Sequence, residues 1–283
     1  MSKLFEWPLT YLFVPGNRPE RFAKALASGA DRIIIDLEDA VAPTDKPAAR
    51  AAMAQWFADR RTSSNNDCNR VIVRINDAAT AWYAEDLALV ATLQVACVML
   101  PKCEAASQVA AVLSQLHQDA AVLPLIETAR GMVALHEIAA APGVARLAFG
   151  SLDYMADLDI PAGSVALDFA GAQIAIASRA AGLASPVSGV TPDLDAAKVQ
   201  ADMAHERTLG FGSKMCIHPS QIAAVRAALA PTATELVWAQ RVLQAWNASS
   251  NGVGGVINLD GKMVDKPVVL KAERIAARAA RTL

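Results

Sequence analysis

The sequence is poor in features that nucleic-acid-binding and disulfide-stabilised proteins need. Aromatic residues make up only 5% of the 283 residues, too few for a surface that stacks on bases. The 26 basic residues are balanced by 28 acidic ones, so no basic excess attracts nucleic acid or a membrane. The 4 cysteines form no C-x-x-C pair, which favours reduced thiols in a cytoplasmic protein over a disulfide scaffold.

Long apolar runs are also lacking, although hydrophobic residues make up 54% of the chain. No run approaches the roughly 18 residues that identify a membrane helix. The first residues carry neither the apolar core nor the small-residue cleavage site of a secretory signal. We therefore expect no membrane partner and a cytoplasmic location.

Short apolar segments rich in β-branched residues alternate with longer, alanine-rich segments of helical period. This alternation is typical of a parallel sheet. Eight such units match the size of a closed barrel, so the predicted fold class is an α/β, (β/α)₈ TIM barrel. The candidate strands are Thr10–Val14, Arg32–Leu37, Arg70–Ile75, Ala96–Leu100, Ala121–Ile126, Ala145–Phe149, Ser185–Val187 and Lys214–Ile217. The helices between them are expected at Pro19–Ser28, Pro47–Arg60, Ala81–Thr92, Ala105–His117, Ala129–Ala140, Val165–Ala181, Asp195–Leu209 and Pro219–Ala230.

The residues after the eighth unit exceed what a barrel requires. They contain, in order, a helix, a stretch rich in Gly and Asn, a hairpin with an Asp-Gly turn and a last helix, at Thr232–Ala248, Asn251–Val256, Asn258–Asp265 and Lys266–Arg281. We therefore divide the chain into a catalytic barrel, residues 1–231, and a C-terminal extension, residues 232–283. The extension would serve as a lid, an oligomer arm or a plain cap.

Charged residues follow the predicted strands at the end where the active sites of such barrels lie. Four carboxylates and three cations share this ring: Asp36, Glu38, Glu127, Asp153, Arg18, Arg74 and Lys102. Carboxylates gathered at one mouth repel each other unless a cation neutralises them. Oxygen ligands without cysteine or well-placed histidine favour Mg²⁺, or Mn²⁺, over zinc.

Glu127 and Asp153 are the best pair of candidate metal ligands. Each follows an apolar strand, and the two strands are neighbours. One such carboxylate alone would more often cap a helix or pair with a cation. Because Mg²⁺ usually takes one or two protein carboxylates and leaves positions for water and substrate, the pair predicts a magnesium site.

The other members of the ring are assigned supporting roles. Arg74, in the strand end VIVRIN, can grip a substrate carboxylate with its planar guanidinium, pair with Asp36 or Glu38, or do both. Strand alternation places Asp36 and Glu38 on one face, supporting Arg74 or metal-bound water, and Asp39 on the other. Lys102 would form a Schiff base or, in better agreement with a metal site, offset negative charge.

Eight motifs in order along the chain resemble one family of enzymes. They are LFVPGNRPERF, ADRIIIDLEDAVAP, VRIN, MLPK, LPLIETARG, LAFGSLDYMADL, LGFGSKMCIHPSQ and DGKMVDKPV. Together they resemble the citrate lyase β-subunit-like group of the HpcH/HpaI aldolase superfamily, from about Leu12 to Ala276. The resemblance is specific for the family but not for the substrate.

The resemblance implies a TIM barrel that binds Mg²⁺ and makes or breaks carbon–carbon bonds in short acyl-CoA thioesters such as malyl-CoA or citramalyl-CoA. It implies that Glu127 and Asp153 bind the metal and that Arg74 holds the carboxylate of the oxo acid. It also implies that Arg18 and Lys24 contact coenzyme A phosphates.

The resemblance further implies that Asp265 is an acid–base residue delivered from the tail of a neighbouring subunit, so a homo-oligomer, a trimer or a hexamer, is expected. Two departures accompany it. Relatives commonly carry Arg where this chain has Gly171, which puts an interface ion pair in doubt, and many carry an acid where it has Ser188, which bears on substrate contacts.

Three alternatives remain open. The chain could be a citrate lyase β subunit acting on an acyl-carrier thioester, a malyl-CoA-type thioesterase, or a non-catalytic assembly subunit. The ring of carboxylates argues against the last, because a scaffold gains nothing from buried groups that repel each other.

Overall fold

The computed structural model describes residues 8–61, 67–249 and 256–282, and eight parallel strands close into a barrel in sequential order. The strands are β1 (Thr10–Pro15), β2 (Arg32–Asp36), β3 (Val71–Arg74), β4 (Cys97–Leu100), β5 (Ala121–Ile126), β6 (Ala148–Phe149), β7 (Val187–Ser188) and β8 (Ser213–Cys216). Because β8 pairs with β1, the sheet has no open edge. The predicted TIM barrel is confirmed.

Helices alternate with the strands. They are α1 (Phe22–Leu26), α2 (Lys46–Arg61), α3 (Tyr83–Leu93), α4 (Ala106–Leu113), α5 (Ala129–Val133), α6 (Leu135–Ala140), α7 (Ser151–Leu158), α8 (Val165–Ala180), α9 (Ala196–Leu209) and α10 (Gln221–Leu229). The helix expected at Ala129–Ala140 is two helices that meet at Ala134. Helix α7 was not predicted, because two turns of SLDYMADL are too short to show a period.

The interior of the barrel explains how the sequence places side chains at its mouth. Alternate residues of the strands point inward and form one buried apolar cluster, of which Ile34, Ile72 and Leu125 are members. Two residues further along the same three strands come Asp36, Arg74 and Glu127. Each inward row therefore begins with an apolar residue in the core and ends with a charged one at the mouth.

By its internal contacts the chain divides into two compact units, Met1–Val225 and Arg226–Leu283, and the division falls within α10. The sequence placed the domain boundary just after this helix. The second unit contains α11 (Ala233–Ala248), β9 (Val256–Leu259), β10 (Lys262–Asp265) and α12 (Lys266–Thr282).

The second unit has its own small core, formed by Ala239, Val242, Val264, Val269, Ala272 and Ile275. The predicted hairpin is present: β9 and β10 are antiparallel, and both turn residues, Asp260 and Gly261, have positive φ, at 54° and 76°. Of the stretch rich in Gly and Asn, residues 251–255 lie outside the described residues. Among the described helices of both units, none is long and apolar enough to cross a membrane.

Candidate active site at the barrel mouth

A cavity of about 330 Å³ lies at the carboxyl ends of the strands. One part of its wall is charged and is formed by Asp36, Asp39, Arg74, Glu127 and Asp153. Another part is apolar and is formed by Phe13, Leu125, Val190, Met215 and Ile217. Four of the predicted site residues, both metal-ligand candidates among them, thus share one cavity, while Glu38 does not border it.

Arg74 is surrounded by three carboxylates. Its Nε and Nη2 each donate to one oxygen of Asp36 at 2.7 Å. Its Nη1 lies 2.9 Å from Glu38 Oε2 and 3.4 Å from Asp39 Oδ2, and its guanidinium stands 4.8 Å above the ring of Phe13. Burial disfavours the charged guanidinium, but the carboxylates outweigh it and hold the pKa of Arg74 above its usual value. The side chain is therefore a fixed cation that also borders the cavity.

Asp36 is fully occupied by hydrogen bonds. Besides the two bonds from Arg74, it accepts the backbone N–H groups of Glu38 at 2.8 Å and Ala40 at 3.0 Å. The chain thus leaves the strand at Asp36 and turns, so strand alternation no longer applies. The expectation that Asp39 lies on the opposite face is wrong for this reason: Asp39 borders the cavity and approaches Arg74 beside Glu38.

Glu38 carries a buried charge that its neighbours satisfy only in part. It is 7% exposed. Burial raises its pKa to about 7, although the positive charge of Arg74 acts in the opposite direction. Its Oε2 makes no well-oriented hydrogen bond with any described residue in spite of its closeness to Arg74. Lys102 Nζ lies 3.4 Å from the other oxygen.

Lys102 is held in an uncommon backbone conformation, with φ at 43°. Burial lowers the pKa of its ammonium, but Glu38 and Glu127 outweigh burial and raise it above the usual value. A Schiff-base lysine needs a lowered pKa, so the environment favours the charge-offset interpretation.

Glu127 is a deeply buried carboxylate in the wall of the cavity. It is 2% exposed, and its Oε1 accepts the backbone N–H of Lys102 at 2.7 Å. Burial, together with the nearby charges of Glu38 and Asp153, raises its pKa to about 8. Burial is the larger cause and the neighbouring acids add to it, so a cation bound beside Glu127 would favour the charged carboxylate.

Asp153 lies in the first turn of α7, half-buried in the wall of the cavity. No hydrogen bond or ion pair joins its carboxylate to any residue in the part of the chain that the structure describes. Among those residues no set of three His, Cys, Asp or Glu side chains could hold a metal ion. Two carboxylates with excess negative charge nevertheless fit Mg²⁺, which takes one or two protein carboxylates and fills its octahedron with water and substrate.

The absence of a side chain at Gly150 leaves the space that the Glu127 side chain occupies. A Cβ at position 150 would lie 2.5 Å from Cβ of Glu127 and overlap its Oε2. We predict that Gly150→Ala displaces Glu127 and weakens Mg²⁺ binding about 10- to 100-fold, as is usual when support of a metal ligand is lost. Isothermal titration calorimetry measures the Mg²⁺ affinity of the variant and of the wild type.

The matched control is Gly171→Ala, since Gly171 is also buried and crowded, with Phe211 3.0 Å from an added Cβ, but lies outside the cavity wall. Both variants should lose thermal stability, and only Gly150→Ala should lose metal affinity. Equal Mg²⁺ affinities would show that Gly150 does not position Glu127.

Sequence reasoning missed a buried polar network behind the loop that carries Glu38. Lys46 Nζ donates to the carbonyls of Leu37 and Glu38, at 2.8 and 3.0 Å, and to Asn76 Oδ1 at 2.7 Å. Asn76 in turn donates through its backbone and side chain to Asp86, which is fully buried. The network fixes the loop backbone, and one sequence signal was available: Asp86 is four and seven residues from buried apolar residues of α3.

Besides Glu38, three predicted site residues lie outside the cavity wall. Arg18 is exposed beside Glu20, and Lys24 is exposed on α1. Asp265 ends β10 in the second unit, where its Oδ1 accepts the N–H of Val268 at 3.2 Å and caps α12. That contact is the one expected of a plain helix cap.

The two departures from the family pattern also lie away from the cavity. Gly171 is buried against Phe211, so it does not stand on a helix surface where an interface ion pair would form. Ser188 is buried and donates to Glu206 at 2.7 Å, and Glu206 pairs with Lys214 at 2.8 Å. An acid from α9 thus stands beside Ser188.

Comparison with known proteins agrees with this geometry. A family model described as HpcH/HpaI aldolase/citrate lyase matches residues 9–219. A citrate lyase subunit β-like protein of Mycobacterium tuberculosis is 39% identical over 279 residues, covering 95% of this chain and 94% of that protein. A (3S)-malyl-CoA thioesterase of Cereibacter sphaeroides is 32% identical over 273 residues, covering 95% and 93%.

Among solved structures, the protein CitE from Mycobacterium tuberculosis, in complex with magnesium, acetoacetate and coenzyme A, matches with a TM-score of 0.83. It is 38% identical and the match covers 98% of this chain and 99% of that one. The region matched by the family model contains all the residues that line the cavity. The resemblance seen in the sequence is confirmed, and the chain belongs to the HpcH/HpaI aldolase/citrate lyase family of carbon–carbon lyases.

Proposed function

We propose that this protein is a Mg²⁺-dependent lyase that cleaves a short 3-hydroxyacyl-CoA into an acyl-CoA and an oxo acid, or runs the reverse condensation. The observation that carries the proposal is the pairing of Glu127 and Asp153 in one cavity wall beside Arg74. Support comes from the relative CitE, whose structure contains magnesium, acetoacetate and coenzyme A.

The roles of the side chains follow from their positions. Glu127 and Asp153 would hold Mg²⁺, which supplies Lewis-acid polarisation of the oxygen that becomes the ketone. Arg74 donates to the carboxylate of the oxo-acid part and orients it, because Asp36 already fixes the plane of the guanidinium. The hydroxyl gives its proton to solvent water and its oxygen becomes the carbonyl of the oxo acid. The neighbouring carbon–carbon bond breaks, and the electron pair of that bond forms the enolate of the acyl-CoA.

The enolate carbon must then receive a proton. We assign this step to Asp265, from the second unit of another copy of the chain, and expect a homo-oligomer, a trimer or a hexamer. In the condensation direction the same carboxylate would remove the proton. Arg18 and Lys24, both exposed, are assigned to the phosphates of coenzyme A.

The proposed function is tested with purified protein, Mg²⁺ and a panel of acyl-CoAs analysed by mass spectrometry. A lyase gives an acyl-CoA and an oxo acid, whereas a thioesterase, the activity named for the Cereibacter relative, gives free coenzyme A and a hydroxy acid. Turnover only of an acyl-carrier thioester would indicate a citrate lyase β subunit. No Mg²⁺-dependent product from any thioester would reject the lyase and support a non-catalytic assembly subunit.

We predict that Asp265→Asn lowers kcat about 10²- to 10⁴-fold, the range of general acid–base catalysis, and that the loss can be repaired between subunits. Asp265→Asn and Glu127→Gln subunits, each inactive alone, are mixed and allowed to exchange. Mixed oligomers should regain activity, because some sites pair an intact metal site with an intact acid.

The control is Asp260→Asn in the same hairpin, where Asp260 pairs with Arg241 on the surface. This variant should be active alone. When it is mixed with Glu127→Gln subunits, the activity of the mixture should equal the activity of the added Asp260→Asn protein and should not rise above it. If exchange is verified by mass spectrometry and the Asp265→Asn mixture remains inactive, Asp265 does not act across a subunit boundary.

A further inference from the structure

The cavity wall divides the space around a bound oxo acid into two chemically different halves. Phe13, Leu125, Val190, Met215 and Ile217 form the apolar half. Leu125 and Met215 belong to the buried core of the barrel, and Phe13 and Val190 pack against that core. This half therefore presents no side-chain hydrogen-bond donor, and it is supported from behind by closely packed residues.

The charged half contains little positive charge. Of the described residues that line the cavity, Arg74 alone is cationic, against four carboxylates at Asp36, Asp39, Glu127 and Asp153. Asp36 already takes two of the guanidinium's hydrogen bonds. Ser151 contributes a hydroxyl to the wall, which donates a hydrogen bond but neutralises no charge.

From these halves we propose that the site selects an oxo-acid moiety with one carboxylate and a small apolar substituent, and that it rejects one with a second carboxylate. The inference rests on the proposed function, since it names the substrate class of the same site. One carboxylate is satisfied by Arg74 and a divalent cation. The apolar half then faces the substituent on the carbonyl carbon.

A second carboxylate would find no counter-charge in this cavity. Placed against the apolar half it would lose water without gaining an ion pair. Placed against the charged half it would meet Asp36, Asp39, Glu127 and Asp153, whose negative charges already exceed the positive charge of Arg74 and a bound Mg²⁺ together. A methyl group in the same place loses no polar hydration and contacts side chains that already form a close-packed surface. The volume of about 330 Å³ is at the small end of the range for ligand cavities and suits the reacting head of a thioester.

The test compares three oxo acids with the Mg²⁺-loaded, full-length protein: pyruvate, with a methyl substituent, glyoxylate, with hydrogen, and freshly dissolved oxaloacetate, with a second carboxylate. Dissociation constants are measured by calorimetry, and condensation with acetyl-CoA is measured as kcat/KM by mass spectrometry. We expect both the affinity and kcat/KM for pyruvate to exceed those for glyoxylate by at least about fourfold, the effect of one buried methyl group. We expect both the affinity and kcat/KM for oxaloacetate to be at least about 100-fold lower than those for pyruvate, the effect of an unpaired buried charge.

A gain-of-charge variant makes the test independent of the wild-type order. Val190→Lys places a cation in the apolar half and should raise the ratio of oxaloacetate to pyruvate affinity at least about tenfold, while Val190→Met, similar in length but uncharged, should leave the ratio unchanged. Circular dichroism establishes that both variants are folded. If either variant is unfolded, the order of the three oxo acids with the wild-type protein decides the test.

Oxaloacetate binding within tenfold of pyruvate, or glyoxylate binding as tightly as pyruvate, would overturn the inference. The two proposals fail differently. If the oxo acids bind in the expected order and no carbon–carbon bond is made or broken, the lyase function is rejected and the selectivity stands. If a bond is made or broken but oxaloacetate is the preferred partner, the function stands and the selectivity is rejected.

Discussion

Replacing Glu127 by glutamine or Asp153 by asparagine is expected to lower kcat/KM by about 10³-fold or more, because each change removes one of two proposed Mg²⁺ ligands. Loss of several kcal/mol of Lewis-acid stabilisation corresponds to this factor. The two substitutions keep the shape of the side chains, so the packing around Gly150 and α7 is preserved. Calorimetric titration with Mg²⁺ should show weakened binding in both variants.

The two variants should differ in stability. Glu127 is buried among other acids, and burial raises its pKa to about 8, so in the metal-free protein its carboxylate is charged and repelled by its neighbours only above that pH, where a neutral amide in its place relieves the repulsion. We therefore expect Glu127→Gln to raise the thermal unfolding temperature of the metal-free protein above about pH 8 and to change it little below about pH 7, while Mg²⁺ should stabilise only the wild type. Such a gain in stability together with a loss of function is the mark of a functional residue held at a cost.

Asp157→Asn is the matched control for Asp153→Asn. Asp157 lies one turn further along α7, is exposed, and accepts the N–H of Ala129 at 2.7 Å outside the cavity wall. This variant should lose some stability but keep its Mg²⁺ affinity. If Asp153→Asn and Asp157→Asn have the same kinetics and the same metal affinity, Asp153 is not a ligand.

The part of the site that could be predicted from the sequence is the part built by strand periodicity. Arg74 and Glu127 continue the inward rows that begin at Ile72 and Leu125, so an alternating pattern is sufficient to place them at the mouth. The eight units likewise identified the barrel, since alternation of strands and helices has few other solutions at this length.

The sequence was misleading where the chain leaves regular structure. Asp39 was misplaced because the carboxylate of Asp36 binds two N–H groups of the following turn and ends the alternation there. Asp153 was expected on a strand end but lies on α7, two turns long. The loop support by Lys46 depends on contacts between segments 30 residues apart, which no local pattern contains.

Arg74→Lys is expected to lower kcat/KM by about 10²- to 10³-fold, because a lysine keeps the charge but loses the planar, two-pronged grip. The guanidinium has five N–H donors. Nε and Nη2 each give one to Asp36 and Nη1 faces Glu38 and Asp39, so N–H groups remain for a substrate carboxylate. A lysine ammonium in this place offers a single point of contact. Loss of one or two charge-assisted hydrogen bonds accounts for the expected factor.

Arg50→Lys is the control that separates substrate binding from structural pairing. Arg50 is also largely buried and pairs with two carboxylates, Glu85 and, at 3.0 Å, Asp86, but it lies outside the cavity wall. Both variants should lose stability to a similar degree. Only Arg74→Lys should raise the KM for the oxo acid in the condensation direction, since only Arg74 is proposed to touch it. A KM equal to that of the wild type, with stability lowered as in Arg50→Lys, would show that Arg74 is a structural counter-charge for Asp36 and Glu38 and that the carboxylate of the oxo acid is held elsewhere.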